Sequence, residues 1–329
     1  MPVHIALGLG AGIASALLFA VAGAGSVPAV LLMYLAPLPI LIVALGWHHL
    51  VGLLALSVGA IAISVMMRPS AGLAFALGPA LAGWALAWLA LLRQRPGPVA
   101  PVASEGWLPA GHLLFWVGIG GALIGLGSLA AATGWDYERY RDALEQTAGA
   151  LLRREMRGDR SAPLPETFGV AGAEFVQVLV ALAPALLASM LTLILALNLW
   201  LAAKVVLISG RLLRPWPDVP SIRMPLGALG AVVAGLVFSQ FQGFPGLVGT
   251  AVAGGLLMAF ALQGLALVHD ATRGRPARGL VLSLTYMLTL VLGYLFLPAF
   301  ALVGMLDTAL PIRRALRPPP PPPPPSRRI

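Results

Sequence analysis

Nine apolar runs order the chain: residues 4–23, 27–46, 49–67, 71–92, 110–131, 172–203, 225–243, 245–268 and 280–306. Each approaches the ~20 residues that a helix needs to cross ~30 Å of hydrocarbon. In lipid every backbone amide must bond within the protein, and the two-residue alternation of a membrane barrel strand is missing from these runs. The pattern therefore predicts an all-α, polytopic transmembrane bundle of about 8–10 membrane segments. Some of these segments are broken by proline, at Pro37, Pro39, Pro79, Pro184 and Pro298. Pro37 and Pro39 are expected to free the carbonyls of Met33 and Leu35 for other partners. The runs divide the chain into an N-terminal membrane block (1–131), a polar insert (132–171), a C-terminal membrane block (172–312) and a Pro/Arg-rich tail (313–329).

Within the insert, Tyr137, Tyr140, Leu144, Thr147 or Ala148, and Leu151 recur every three or four residues, with Met156 beyond them. They predict a helix from Asp136 to Arg157 with one apolar face. Thr133 or Asp136 can cap its start, Gly158 suits its stop, and Arg141 pairs with Glu145 four residues on. Such a helix is too charged to cross lipid and belongs on the membrane surface or against the other helices. It also offers a face to a protein partner, as does the tail. There the prolines from Pro318 to Pro325 make a polyproline II rod.

Composition sharpens the membrane reading. The 329 residues are 59% hydrophobic and 10% charged. A water-soluble domain carries about 25% charged residues. Cysteine is absent, which excludes disulfide frameworks and thiol chemistry. The formal charge is +9, but the cations lie between and beyond the apolar runs. That distribution points to anionic lipid headgroups and topology, and away from nucleic acid. Ala20-Val21-Ala22 has the look of a signal-peptidase site. No cation precedes the run, however, and another follows at once, so a retained span is expected.

Candidate chemistry is sparse. No H-E-x-x-H or phosphate loop occurs, no cofactor is implied, and acids are not gathered as an enzyme would need. The glycine rows Gly8/Gly12 and Gly121/Gly125 have the spacing of close helix packing. The ligand-binding candidates are polar residues set in apolar sequence. Asn198 lies deep in the sixth run, and Gln240 and Gln242 flank Phe241 in the SQFQGFPG turn. The stretch NLWLAAKVVLISGRLLRPWPDVP adds Lys204, Arg211, Arg214 and Asp218. There Lys204 and Arg211 share a helical face, Gly210 ends the helix, and Asp218 is within reach of Arg214. The same stretch reads as an interfacial anchor through Trp216 or as a site for an anionic ligand.

If 280–306 is a broken hairpin, the tail joins the face that carries Arg93, Arg95, Lys204, Arg211, Arg214, Arg223, Arg273, Arg275 and Arg278. The larger share of cations is then on that face, which becomes cytoplasmic under the positive-inside rule, with the insert outside. The chain is expected in the bacterial inner membrane.

GLGAGIASALLF, LLMYLAPLPILIVALGWHHLVGL and the Asn198–Pro220 stretch resemble the YybS-like family of bacterial multi-pass membrane proteins. The resemblance covers Gly8 to about Arg314 and carries no catalytic motif. That family is similar, at a distance, to the substrate-binding components of energy-coupling-factor vitamin transporters and to MreD-type cell-shape proteins. The resemblance implies a transport-like fold. The expected function is binding or transport of a small solute, with a membrane scaffold or assembly protein as the alternative.

Overall fold

The computed structural model describes residues 2–93, 106–155, 172–310 and 312–313. Among them there is no β-strand, only one isolated bridge between Arg93 and Trp107. Thirteen α-helices follow in order: α1 (Pro2–Ala20), α2 (Val27–Tyr34), α3 (Leu38–Gly46), α4 (His49–Met66), α5 (Pro69–Phe75), α6 (Leu81–Ala90), α7 (Ala110–Thr133), α8 (Tyr137–Glu155), α9 (Gly172–Ile208), α10 (Gly227–Phe238), α11 (Phe244–Ala271), α12 (Arg278–Leu292) and α13 (Leu297–Ala309). Seven helical segments are long and apolar enough to cross a membrane, and α10, α12 and α13 are shorter apolar helices.

Two of the nine predicted segments thus differ from a simple span. The run 225–243 holds a helix of only 12 residues, α10. The run 280–306 is two helices, turned at Gly293, whose φ of 51° puts it in the left-handed region. Pro298 does not break the run; it lies in the first turn of α13, where its missing N–H costs nothing. Gln263 of α11 bonds the Gly304 carbonyl, and Asp270 further along α11 meets Arg313. The helices α11 and α13 therefore run the same way, and the chain leaves α13 on the face where α11 ended.

Proline also shapes the N-terminal half. Pro37 separates α2 from α3, and Pro79 sits in a π-turn over 76–80, where Gly78 leaves helical geometry. The carbonyls left over at the α2–α3 break are not those of Met33 and Leu35. The break tightens into three-residue turns, so Ala36 N–H bonds Met33 O and Leu38 N–H bonds Leu35 O. Tyr34 O is the group that needs an outside partner. Pro184, by contrast, lies inside a continuous α9.

Helix contacts are made by small residues, as the glycine rows predict. A Cβ on Gly12 would collide with α4 at Ala55 and Val58, and one on Gly121 would collide with Thr192 and Ala188 of α9. The two longest helices, α9 and α11, form the axis of the bundle. The 37 residues of α9 make a rod of about 55 Å, with Val176, Val180, Ala188, Thr192, Leu195, Asn198, Ala202 and Val206 along its buried stripe.

The insert helix α8 lies on this bundle. Asp136 Oδ1 accepts the N–H groups of Glu138 and Arg139, so Asp136 is the cap, while Thr133 bonds back to Leu129 O. Arg141 Nε donates to Glu145 Oε1 at 2.8 Å. Tyr140 is buried among Val176, Val180 and Leu247, with Tyr137, Leu144 and Ala148 packed beside it. Its hydroxyl donates to Val180 O at 3.0 Å, and burial raises its pKa above the ordinary phenolic value. The expected helix stop at Gly158 and the proline run 318–325 lie outside the described residues.

Candidate functional site

Among the described residues the chain crosses one face of the bundle at 47–48, 91–93, 106–109, 209–226 and 272–277, and most of the charged chemistry is there. α9 ends in a Schellman motif: Gly210, with φ 69°, donates to Leu207 O, and Arg211 N–H donates to Val206 O. The turn carries Arg211 off the helix, so it does not share a face with Lys204. Instead Lys204 Nζ sits 4.5 Å from the Trp216 ring centre, and the Arg211 guanidinium sits 4.8 Å from that of Trp47. Arg93 stacks on Trp107 in the same way, at 4.7 Å. Cations on aromatic faces, at a membrane interface, hold the loops to the helix ends.

Asp218 does not pair with Arg214. It forms a two-pronged ion pair with Arg273, one arm of which is 2.9 Å, because the α11 end is closer than the start of its own loop. That contact holds the Asp218 carboxyl below the ordinary carboxylate range. Beyond it the chain makes one 3-10 turn at Val219–Ser221 and then dips into the bundle as irregular backbone over 222–226. Met224 N–H donates to Gln263 Oε1 at 2.8 Å, about two turns, or ~12 Å, before α11 ends at Ala271.

Such irregular backbone survives at membrane depth only when protein supplies every partner. Gln263 is fully buried and also donates to Gly304 O, Asp307 Oδ2 and Thr308 Oγ1, each at 2.9 Å. Arg313 donates to Asp307, Asp270 and the carbonyls of Pro220 and Ile222. Gln263, Asp307 and Arg313 did not stand out as candidates in the sequence. A lone amide inside the eighth apolar run and an acid at the end of the ninth were the available signals. Arg313, assigned to the tail, is part of the bundle.

The other candidates lie apart. Asn198 is fully buried, and its Nδ2 donates to Ile194 O and to Tyr34 O, each at 2.9 Å. Asn198 therefore closes the α2–α3 break; it does not line the cavity between α7, α9, α11 and α12. Gln240 and Gln242 are exposed on the opposite face, where Gln240 bonds only Leu236 O and Ser239 Oγ. The seven candidates thus fall into three places.

A cavity of ≈ 960 Å³ opens between α7, α9, α11 and α12. Its walls follow α9 from Leu193 to Ala203 and α11 from Met258 to His269. These stretches are each about 15 Å long, or half of a ~30 Å hydrocarbon core. The walls are largely aliphatic, with Trp200 and Trp216. The ionisable residues lie toward the charged face: Arg214 on the loop, and His269 with Tyr286, whose ring nitrogen and hydroxyl are 2.8 Å apart, while Thr289, further along α12, spends its hydroxyl on Thr285 O. α12 forms one wall and buries none of its own described side chains. Of the sequence candidates, only Arg214 lines this space. It is half-buried, and its one hydrogen bond, to Ala90 O, is long at 3.4 Å. Burial pushes its pKa down, yet a guanidinium stays charged at neutral pH.

Among the described residues no group of three or more His, Asp or Glu is placed to share a metal ion. What fold and site define together is a polytopic helical membrane protein with an amphipathic intramembrane cavity. More particularly, the chain belongs to the family described as "Predicted membrane protein (DUF2232)", whose model matches residues 13–308. No curated protein and no solved structure matches it.

Proposed function

We propose that the protein binds, and moves or presents, a small amphiphilic molecule of lipid class that enters its cavity from one membrane leaflet. The observation that carries this reading is the cavity's polarity: aliphatic walls for half the membrane depth, ending in a polar rim at the charged face. A water-soluble solute would leave most of that wall unpartnered, whereas a hydrocarbon tail matches it. The reading refines small-solute transport as expected from the sequence. We take it as a binding role; among the described residues Arg214, His269 and Tyr286 are the ionisable side chains on the wall. The scaffold alternative draws less support, because α8 already spends its apolar face on α9 and α11. With Arg313 and the α11 end on one face, the positive-inside rule makes that face cytoplasmic, in an inner membrane.

The test is thermal-shift screening of the purified protein in a minimal detergent. Single-chain amphiphiles should raise the melting temperature; a ligand at about 100 times its Kd adds ~2.7 kcal/mol. Ala196→Trp, which fills the mid-wall, should remove that shift without lowering the starting melting temperature by much. Stabilisation by vitamins or nucleosides but not by amphiphiles would overturn the proposal.

A further inference from the structure

Resting on that reading, we infer that the amphiphile has a phosphate head and that Arg214 is its counter-ion. Most cations near the cavity are already engaged. Lys204 and Arg211 lie on tryptophan rings, Arg273 holds Asp218, Arg278 donates to His269 O and Arg223 to Thr308 O. Arg214 differs from them. Among the described residues no carboxylate lies within 4.0 Å of it, and its guanidinium has one long bond to a carbonyl. It is nonetheless half-buried at the edge of an aliphatic cavity.

A desolvated guanidinium with unused donors is an incomplete arrangement. Its planar fork fits two oxygens of one phosphate side by side. Placing an anionic head there lets a tail follow the wall from Trp216 toward Leu193, a path as long as one leaflet is deep. Trp216 is held beside Arg214 from behind by Lys204, so the rim is rigid where the head would rest. The second polar element of the wall is the His269–Tyr286 pair, whose ring nitrogen and hydroxyl already bond each other. The occupant is thus a phosphate-headed lipid; a free phosphate would use the rim and leave the wall empty.

The experiment compares four probes on the full chain in detergent: lysophosphatidic acid, the fatty acid of the same length, the matching monoacylglycerol, and inorganic phosphate. Binding is read by native mass spectrometry and by thermal shift. Lysophosphatidic acid is expected to bind best. Arg214→Gln should weaken it about 10–100-fold, to the level of the monoacylglycerol, as expected for loss of a charged hydrogen-bond pair. Arg214→Lys should retain part of the preference, and Arg275→Gln, an exposed cation outside the cavity, should change nothing. Equal binding of the monoacylglycerol or the fatty acid would overturn the phosphate head while leaving the cavity reading intact. Full stabilisation by inorganic phosphate alone would overturn the lipid as occupant. Failure of every probe would overturn the cavity reading itself.

Discussion

The two halves of the bundle meet the same solvent and solve it differently. From α1 to α6 the chain is interrupted at Pro37 and Pro79, yet the interruptions are closed mainly by three-residue and π-turns, with Asn198 of α9 supplying one donor to Tyr34 O. The buried residues there are apolar apart from Ser15. Close packing comes from small residues such as Gly12 against α4. From α9 to α13 two long helices of 37 and 28 residues stand beside short ones of 12 to 15, and an irregular stretch enters the bundle over 222–226. The fully buried Gln263, the buried Asp307 and the nearly buried Arg313 occur there. The difference teaches that polar groups enter this interior where backbone leaves the helix. A local break can be closed by its neighbours in sequence. A long one needs side chains brought from elsewhere.

Removing those side chains is the strongest way to break the comparison. Asp307→Leu leaves Arg313 without its main partner and takes an acceptor from Gln263. Breaking a buried pair from one side costs about 3–5 kcal/mol. The expected outcome is a large fall in melting temperature, or loss of the folded protein from detergent extracts. The matched change in the other half, Ser15→Ala, removes a hydroxyl that has no partner among the described residues and should be close to neutral. Equal losses for the two variants would show that buried polarity has the same role in both halves.

How far each half was legible follows from the same contrast. The span positions, the Asp136 cap, the apolar face of α8 and the glycine contacts depend on residues close in sequence or on lipid as solvent, and they could be read directly. The short hairpin of α12 and α13 was inferred from charge, but its turn at Gly293 was not, since proline was the more visible breaker. The Gln263 network joins residues some forty positions apart, and no local pattern announces it. The cavity depends on how α7, α9 and α11 diverge and on where α12 stands, which periodicity does not encode. Arg214 was visible as a candidate because it sits in an apolar stretch. That its partner was not Asp218 depended on where α11 ends.

A smaller effect is expected where the halves are joined. Asn198 of α9 bonds Tyr34 O, the carbonyl freed at the α2–α3 break, so one C-terminal side chain completes an N-terminal fold. Asn198→Leu fits a similar volume but leaves Tyr34 O without a donor. That should cost about 1–3 kcal/mol, the usual penalty of a buried unpaired acceptor. Asn198→Gln, longer by one methylene, should recover part of it only if α9 can shift. A melting temperature unchanged in Asn198→Leu would mean that the break closes by itself, and the halves would then be more alike than the structure indicates.

The smallest effect belongs to the rim, where water competes. Asp218 and Arg273 are each nearly half exposed, so screening reduces what their ion pair contributes. The sign with pH is nevertheless defined. The Asp218 carboxyl titrates below its ordinary range in the folded protein, chiefly through the Arg273 hydrogen bonds. Its contribution is therefore present above the unfolded carboxylate value of about 3.9 and is lost as pH falls through the lower folded value. Melting curves of the wild type and of Asp218→Asn should differ slightly and by a constant amount at neutral pH. They should converge below about pH 4, and 1 M salt should narrow the gap, the screening length there being about 3 Å. A gap that persists in acid, where the carboxyl is protonated, would show that the contribution of Asp218 does not come from its charge.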